Sequence, residues 1–331
     1  MLKYCCIAYK GNQMKKTLVS VLSLAALISG NILAQDLPRK PLRLVVPLAT
    51  GGGTDIVARI LATGLGQHWD RQILVDNRPG AAGALGAGIV ARAQPDGNTL
   101  LVASSTLAIG AAVIPAVGAE VVKNLSEISL VASQPSVLLV NLDISARTLA
   151  EFVALLKSQP GKLNFGSAGV GTASHLANEL FLLKTQTQAL HVPYKSAGVA
   201  VSGLLKNEIQ FMVTNLATAQ PLISNHRARA LAVTSAVRIA SLPDVPTARE
   251  SGVRDYEYNT WYGVLAPVKT PQPVLERVSR DIVDVLKNTN TGTQLQQQGL
   301  TVLGTTPASF RKMLQSEIQS WTVVVKTLEL R

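Results

Sequence analysis

A strand, a glycine-rich loop and the start of a helix follow one another between Leu42 and Arg59, and this unit constrains the fold more than any other stretch. The apolar run at residues 44–46 predicts a buried strand, and Thr54 and Asp55 open a segment with helical periodicity. The loop between them contains Gly51, Gly52 and Gly53. Three glycines in a row allow backbone conformations that are closed to other residues, and they let a ligand contact main-chain amides.

Two interpretations of this loop are open at this point. Thr54 can cap the helix, and the first-turn amides carry partial positive charge, so the loop suits a carboxylate or a phosphate. Alternatively, the glycines only turn the chain and Asp55 only complements the helix dipole. A single glycine loop is too weak a signal to decide between these interpretations.

The amino terminus predicts an export signal rather than a part of the fold. Two lysines precede an uncharged run from Thr17 to Ile28, and small residues then lead to Ala34. We expect translation to start at Met14 and the signal peptide to be cleaved after Ala34. Residues 1–34 would then comprise an upstream extension and a signal peptide, which places the mature protein in the periplasm.

The mature chain excludes several classes of function. The only cysteines of the sequence, Cys5 and Cys6, precede the signal, so the mature chain has no thiol for a disulfide, a metal site or a nucleophile. Four of the +11 net charges lie in the removed segment, which leaves +7. The other basic residues are scattered, so nucleic-acid binding is not indicated, although a mildly basic exported protein can attract anions. No motif indicates a metal or another cofactor, and no later run approaches the ~18 apolar residues of a membrane span.

Strand and helix patterns alternate along the rest of the chain, which is typical of α/β lobes with largely parallel sheets. The opening unit recurs in outline at residues 163–183, as a strand, a loop with Gly166, Gly169 and Gly171, and an amphipathic helix after Thr172. In such sheets ligands bind at the carboxyl ends of the strands, where both glycine loops lie. The recurrence favours the anion interpretation of the first loop.

The strand pattern also predicts where the chain crosses between two lobes. Ile128–Val131 and Val137–Val140 are β-rich runs with a break around Pro135, and Pro243 and Pro246 mark a second linker. We therefore predict one lobe from residues 35–133 and 244–331, and a second lobe from residues 134–243.

A reaction centre is not indicated. The sequence around Ser167 (GSAG) is not a GxSxG elbow, and no acid pattern ties a histidine to this serine, so a serine hydrolase is a disfavoured alternative. His175, three residues after Thr172, is either a packed or capping residue or a ligand contact. Ser105 and Thr106, which follow a third strand, either cap the next helix or reach a ligand. The chain is thus predicted to capture a molecule rather than to catalyse a reaction.

Several short motifs occur in a specific order and spacing between Pro38 and the carboxyl terminus. They are Val46-Pro47 with Gly51-Gly52, Asp55 and Arg59; Val75 to Ala81 (VDNRPGA); Pro95-Asp96-Gly97; Phe165-Gly166-Ser167 with Gly169, Gly171 and His175; Val192 to Lys195 (VPYK); Leu242 to Thr247 (LPDVPT); and Trp261, Gly263, Ala266 and Pro267. In this combination the chain resembles the Bug family of periplasmic solute-binding proteins, the receptors of tripartite tricarboxylate transporters.

The resemblance implies a two-lobed type II periplasmic binding protein, or Venus flytrap, with two mostly parallel sheets and a small carboxylate in the cleft between the lobes. In the family, main-chain amides and hydroxyls of two glycine loops hold the carboxylate. Carried over, the implied contacts are Gly51, Gly52, Gly53, Thr54 and Asp55, then Ser167, Ala168, Gly169, Thr172 and His175, with Ser105 and Thr106 as weaker candidates. Asn215 stands near a position where an acid is common in the family, so it would contact the distal end of the ligand.

The resemblance further implies a monomeric receptor, without a cofactor, that delivers its ligand to the membrane permease subunits of a tripartite tricarboxylate transporter. The alternative that we keep open is a ligand-sensing partner of a membrane receptor kinase with the same fold.

Overall fold

The structure is a computed structural model that describes residues 40–327, apart from the side chains of residues 115–117 and 120. The predicted upstream extension, signal peptide and cleavage site lie outside the described residues. The strands are β1 Leu42–Val46, β2 Ile73–Asn77, β3 Thr99–Ser104, β4 Leu125–Val140, β5 Asn164–Ser167, β6 Leu190–Pro193, β7 Phe211–Asn215, β8 Arg229–Val233, β9 Asn259–Pro267 and β10 Thr301–Val302. The helices are α1 Gly53–His68, α2 Ala84–Ala91, α3 Thr106–Val113, α4 Pro115–Lys123, α5 Leu149–Ser158, α6 Ala173–Thr185, α7 Ala197–Leu205, α8 Leu216–Ser224, α9 Gln272–Asn288, α10 Asn290–Gln297 and α11 Pro307–Thr327.

These ten strands belong to one curled, mixed sheet. Its order is β2-β1-β3-β9-β4-β7-β5-β6, and β8 and β10 also pair with β4. The outer groups β2-β1-β3 and β7-β5-β6 are parallel, as the alternating strand and helix pattern predicted. Two separate, mostly parallel sheets were expected, but the described strands form one sheet whose central part is antiparallel. There β4 and β9 run antiparallel to each of their partners and join the two groups.

A single long strand, β4, connects the two parallel groups. Its first part, Leu125–Pro135, pairs with β9, and its last part, Ser136–Val140, pairs with β7 and β8. The sequence predicted two shorter strands with a break around Pro135, and this prediction was wrong. The strand continues because Pro135 lies where the partner changes from β9 to β7, a place where a residue without an amide hydrogen is tolerated.

Helices cover both groups of parallel strands and bury apolar side chains against them. Against β1 and β9, helices α1 and α9 bury Leu61 and Ile282. Against β5 and β7, helices α5 and α6 bury Phe152 and Phe181, and the ring of Phe152 meets that of Phe211 edge-on at 5.1 Å between centroids. No helix within residues 40–327 is long and apolar enough to cross a membrane. The lobe boundaries predicted above stay a prediction.

Candidate functional site

Five helices among the described elements begin at one cavity. Helices α1, α3, α6, α7 and α8 follow β1, β3, β5, β6 and β7, each after a connection of at most six residues. The first residues of α1, α3, α6 and α7 line the cavity, and α8 reaches it through its N-cap residue, Asn215. The first amides of a helix have no acceptor within the helix, and the helix dipole adds partial positive charge there. The cavity is therefore surrounded by main-chain groups that favour an anion.

The cavity is small and almost free of charged side chains. Its volume is about 100 Å³. This is below the ~300–1,000 Å³ of sites for drug-sized ligands, so the cavity suits a small organic molecule. Lys195 is the one charged residue among the described residues that line it. No group of His, Cys, Asp or Glu within the described part of the chain could hold a metal ion.

The first glycine loop meets the cavity through Gly52, Gly53 and Thr54. Gly52 is the N-cap residue of α1, in an extended conformation with φ −83°, and no side chain caps this helix. The predicted capping role of Thr54 was therefore wrong, because the helix starts at Gly53 and Thr54 already lies in its first turn. A Cβ atom at Gly53 would overlap the hydroxyl of Tyr262, so this position requires glycine for close packing.

Gly51 and Asp55 lie behind the cavity lining and hold the loop in shape. The carboxylate of Asp55 accepts hydrogen bonds from the amide of Gly51 (2.9 Å), from Arg59 Nε (3.0 Å) and from Asn77 Nδ2 (3.0 Å). Burial by itself would raise the pKa of Asp55, but these bonds outweigh it and keep the pKa below its usual range. The ionised carboxylate thus fixes Gly51 at φ +83°, a backbone conformation that favours glycine.

In the second glycine loop, most amides are already used within the loop. The amides of Ala168, Gly169 and Gly171 donate to Ser174 Oγ, Ser167 Oγ and His175 Nδ1, at 3.0, 3.1 and 3.2 Å. Of the predicted contacts in this loop, Ala168 and Thr172 line the cavity, whereas Ser167, Gly169 and His175 do not. The loop therefore turns side chains and the start of α6 toward the cavity, and these three amides are not free for the main-chain contacts that the family resemblance implies.

Two stacked imidazoles brace this loop from behind. His175 is buried, its ring stacks on that of His191 at 4.0 Å, and its Nε2 lies 3.6 Å from Glu179 Oε1. His191 Nε2 is 2.6 Å from Ser167 Oγ, a pairing that the sequence did not reveal. Ser167 is fully buried, and the carboxylate of Glu179 lies beside His175 rather than beside His191. The pair of Ser167 and His191 is therefore not arranged to attack a ligand in the cavity.

Polar side chains at the helix starts leave hydrogen-bond donors over for a ligand. Thr106 Oγ1, Ser196 Oγ and Asn215 Oδ1 all line the cavity, and they accept from main-chain amides at 3.3, 3.3 and 2.9 Å. Because an acceptor of each side chain is occupied, its O–H or NH2 group is the part available to a ligand. Ser105 differs, since it is fully buried and its hydroxyl bonds to Tyr258 Oη at 2.9 Å.

Sequence reasoning missed one wall of the cavity and the one cationic residue that lines it within residues 40–327. Tyr258, Thr260 and Tyr262 line it from β9 and the residue before it, and Lys195 lines it after β6. Burial raises the pKa of both phenols, so both hydroxyls stay protonated donors. The period-two spacing of these three residues, which places them on one face of a strand, was the available signal.

The chain is similar to known proteins over most of its length. A profile of the family described as "Tripartite tricarboxylate transporter family receptor" matches residues 57–330. The chain is 33% identical to Protein BugT of Bordetella pertussis over 301 residues, which are 90% of this chain and 92% of that protein. It is 29% identical to the structure of MatC from Rhodopseudomonas palustris with bound malate, with a TM-score of 0.82 over 87% of this chain and 99% of that one. It is 28% identical to the structure of R. palustris Rpa4515 with adipate, with a TM-score of 0.84 over 89% and 99% of the two chains.

The contrast between Gly52 and Gly53 gives a first testable prediction. Gly53→Ala should lower the free energy of unfolding by ~1–3 kcal/mol, because the new methyl group overlaps the buried hydroxyl of Tyr262. Gly52→Ala is the matched control, since its Cβ meets only Ala49 O at 3.7 Å. Urea denaturation of both variants measures the difference, and equal stabilities would contradict this packing.

His191 gives a pH-dependent prediction. Burial, with a contribution from His175, lowers the pKa of His191 to about 4, against ~6.5 for an unperturbed histidine. The neutral ring therefore contributes stability that is fully present above pH 6.5 and is lost as the pH falls through 4, by up to ~3 kcal/mol. His191→Asn should remove this acid-side loss when unfolding is measured at pH 8, 6 and 4.5. A difference between parent and variant that is the same at all three values would contradict the assignment.

Proposed function

This chain belongs to the tripartite tricarboxylate transporter receptor family, and on that premise we propose that it is a periplasmic solute-binding protein that captures a small carboxylate. The observation that carries the proposal is the convergence of five helix N-termini on one cavity of about 100 Å³. The malate and adipate complexes of the two R. palustris relatives support the chemical class of the ligand.

The carboxylate is held by dipoles more than by full charges. A carboxylate offers about four lone-pair sites, and the first turns of α1 and α6 present amides to it. The hydroxyls of Thr106, Ser174 and Ser196 add donors, and the amide of Asn215 lies where the distal end of the ligand would sit. Lys195, whose side chain is exposed, adds one positive charge at the rim.

Ligand capture closes two lobes, one of residues 35–133 and 244–331 and the other of residues 134–243. Helices α1 and α3 belong to the first lobe, and α6, α7 and α8 belong to the second. An anion that contacts both sets binds the closed arrangement more tightly than the open one, and this difference drives the closure. The closed, loaded receptor, exported as a monomer by its cleavable signal peptide, then delivers the ligand to the membrane permease subunits.

The central prediction concerns Gly52. Isothermal titration should show binding of at least one of malate, adipate, citrate and benzoate to the parent protein. Gly52→Val should weaken the affinity for this acid roughly 100-fold or more, because the side chain obstructs the amides at the start of α1. The melting temperature should change little, since a Cβ atom at this position meets only Ala49 O, at 3.7 Å. If the parent binds none of the four acids, or if the variant binds as well as the parent, the proposal fails.

Lys195 gives a second prediction for the same ligand. Lys195→Gln should weaken binding about 1.4- to fivefold and reduce its salt dependence, because an exposed charge contributes ~0.2–1 kcal/mol. Lys184→Gln is the control, since this exposed lysine lies in the last turn of α6, away from the cavity. Titrations at low and high salt measure the affinity of both variants. An equal loss of affinity in Lys195→Gln and Lys184→Gln would show that Lys195 is not part of the site.

A further inference from the structure

One half-buried acid, Glu317, is not used by the proposed function. Glu317 on α11 accepts hydrogen bonds from two indoles, those of Trp261 and Trp321, the latter at 3.1 Å. Both tryptophans are themselves buried, at 5% exposure each. Burial raises the pKa of Glu317 to about 7, although the two indole bonds oppose the change.

Both tryptophans are connected by contacts to Ser105, which lies next to the cavity-lining Thr106. The main-chain oxygen of Trp261 accepts a hydrogen bond from the amide of Ser105 at 3.2 Å. The ring of Trp321 meets that of Tyr258 edge-on at 5.8 Å, and Tyr258 Oη bonds to Ser105 Oγ at 2.9 Å. Ser105 is the N-cap residue of α3. Both the backbone and the side chain of this cap therefore depend on groups that Glu317 holds.

We propose that Glu317 is a positioning residue for the ligand cavity, which acts through the two indoles to fix Ser105 and the start of α3. This inference rests on the proposed function, because α3 is one of the five helices that face the ligand. Glu317 does not touch the ligand itself. Its effect reaches the cavity through Thr106 and Tyr258, which line it.

The surroundings of Glu317 allow its titration to be followed. Next to β9, Glu317 faces Tyr258, and the charge of Glu317 helps to raise the pKa of this tyrosine. Helix α3 and the buried face of α9 carry no titratable side chain. On β4, Glu127 is paired with Arg311 (3.0 Å), six residues earlier on α11 and so ~9 Å away along the helix. A change in the indole signal near pH 7 would therefore report Glu317.

Binding measurements with matched variants test the inference. Glu317→Leu removes both acceptors and should weaken binding of the carboxylate that the parent binds by ~10-fold or more, since a charge-assisted hydrogen bond to each indole is lost. Glu317→Gln retains one acceptor oxygen and should recover most of the affinity. Glu127→Leu breaks another polar contact of the same helix, so it should lower the melting temperature and leave the affinity within twofold. Should Glu317→Leu not fold, Trp321→Phe keeps the ring contact and removes only the indole donor, and we expect an intermediate loss.

A second readout needs no ligand. In a Trp69→Phe background, tryptophan emission should change with a midpoint near pH 7 in the parent and stay constant in Glu317→Gln. Unchanged affinity in a folded Glu317→Leu variant, or a pH-independent emission in the parent, would overturn the inference. Absence of carboxylate binding by the parent would instead overturn the proposed function, so the two failures are distinguishable.

Discussion

The organisation of this molecule depends on a property of the peptide backbone, namely that the first amides of a helix have no partner within the helix. Five such helix starts converge on one small cavity because parallel strands place their carboxyl ends at the same edge of the sheet. Each start favours an anion by ~0.3–1 kcal/mol, and more when partly buried. Their combined effect favours an anion, and the cavity-lining residues within the described part of the chain include neither an arginine nor an acid.

Behind the lining, two glycine loops that look alike in sequence are stabilised in different ways. The first is held by the ionised carboxylate of Asp55, which bonds to Gly51 and is neutralised by Arg59. The second is held by two stacked imidazoles, those of His175 and His191. The residues that shape each loop are therefore distinct from those that line the cavity. A substitution at one of them would change the shape of the loop and would leave the cavity-lining side chains in place.

Local patterns predicted much of the fold and part of the candidate site. The alternation of strands and helices, both glycine loops and the cavity-lining positions of Gly52 and Thr106 follow from residues close together in sequence, whereas Asn215 was implied only by the family resemblance. The rest depends on pairing between distant strands, which periodicity does not encode. The bond between Ser167 and His191 needs the register of β5 against β6, in which Phe165 lies beside His191.

Other discrepancies have the same origin. Helix α8 begins directly after β7 and contains Pro221, a residue that argues against a helix when the sequence is considered alone. The tyrosine wall of the cavity needs the insertion of β9 between β3 and β4, two strands that precede it by more than 100 residues in the chain. Chemistry at the helix starts was thus more predictable than the strand that completes the cavity.

The unbroken course of β4 has a mechanical consequence. A strand of 16 residues spans ~50 Å, and here it is hydrogen-bonded to one group of strands in its first part and to the other in its last part. We expect such a strand to resist bending, because bending it strains ladder bonds on both sides of Pro135. The resting angle between the two groups is then a property of the sheet itself. Side chains around the cavity are free to change ligand preference without altering that angle.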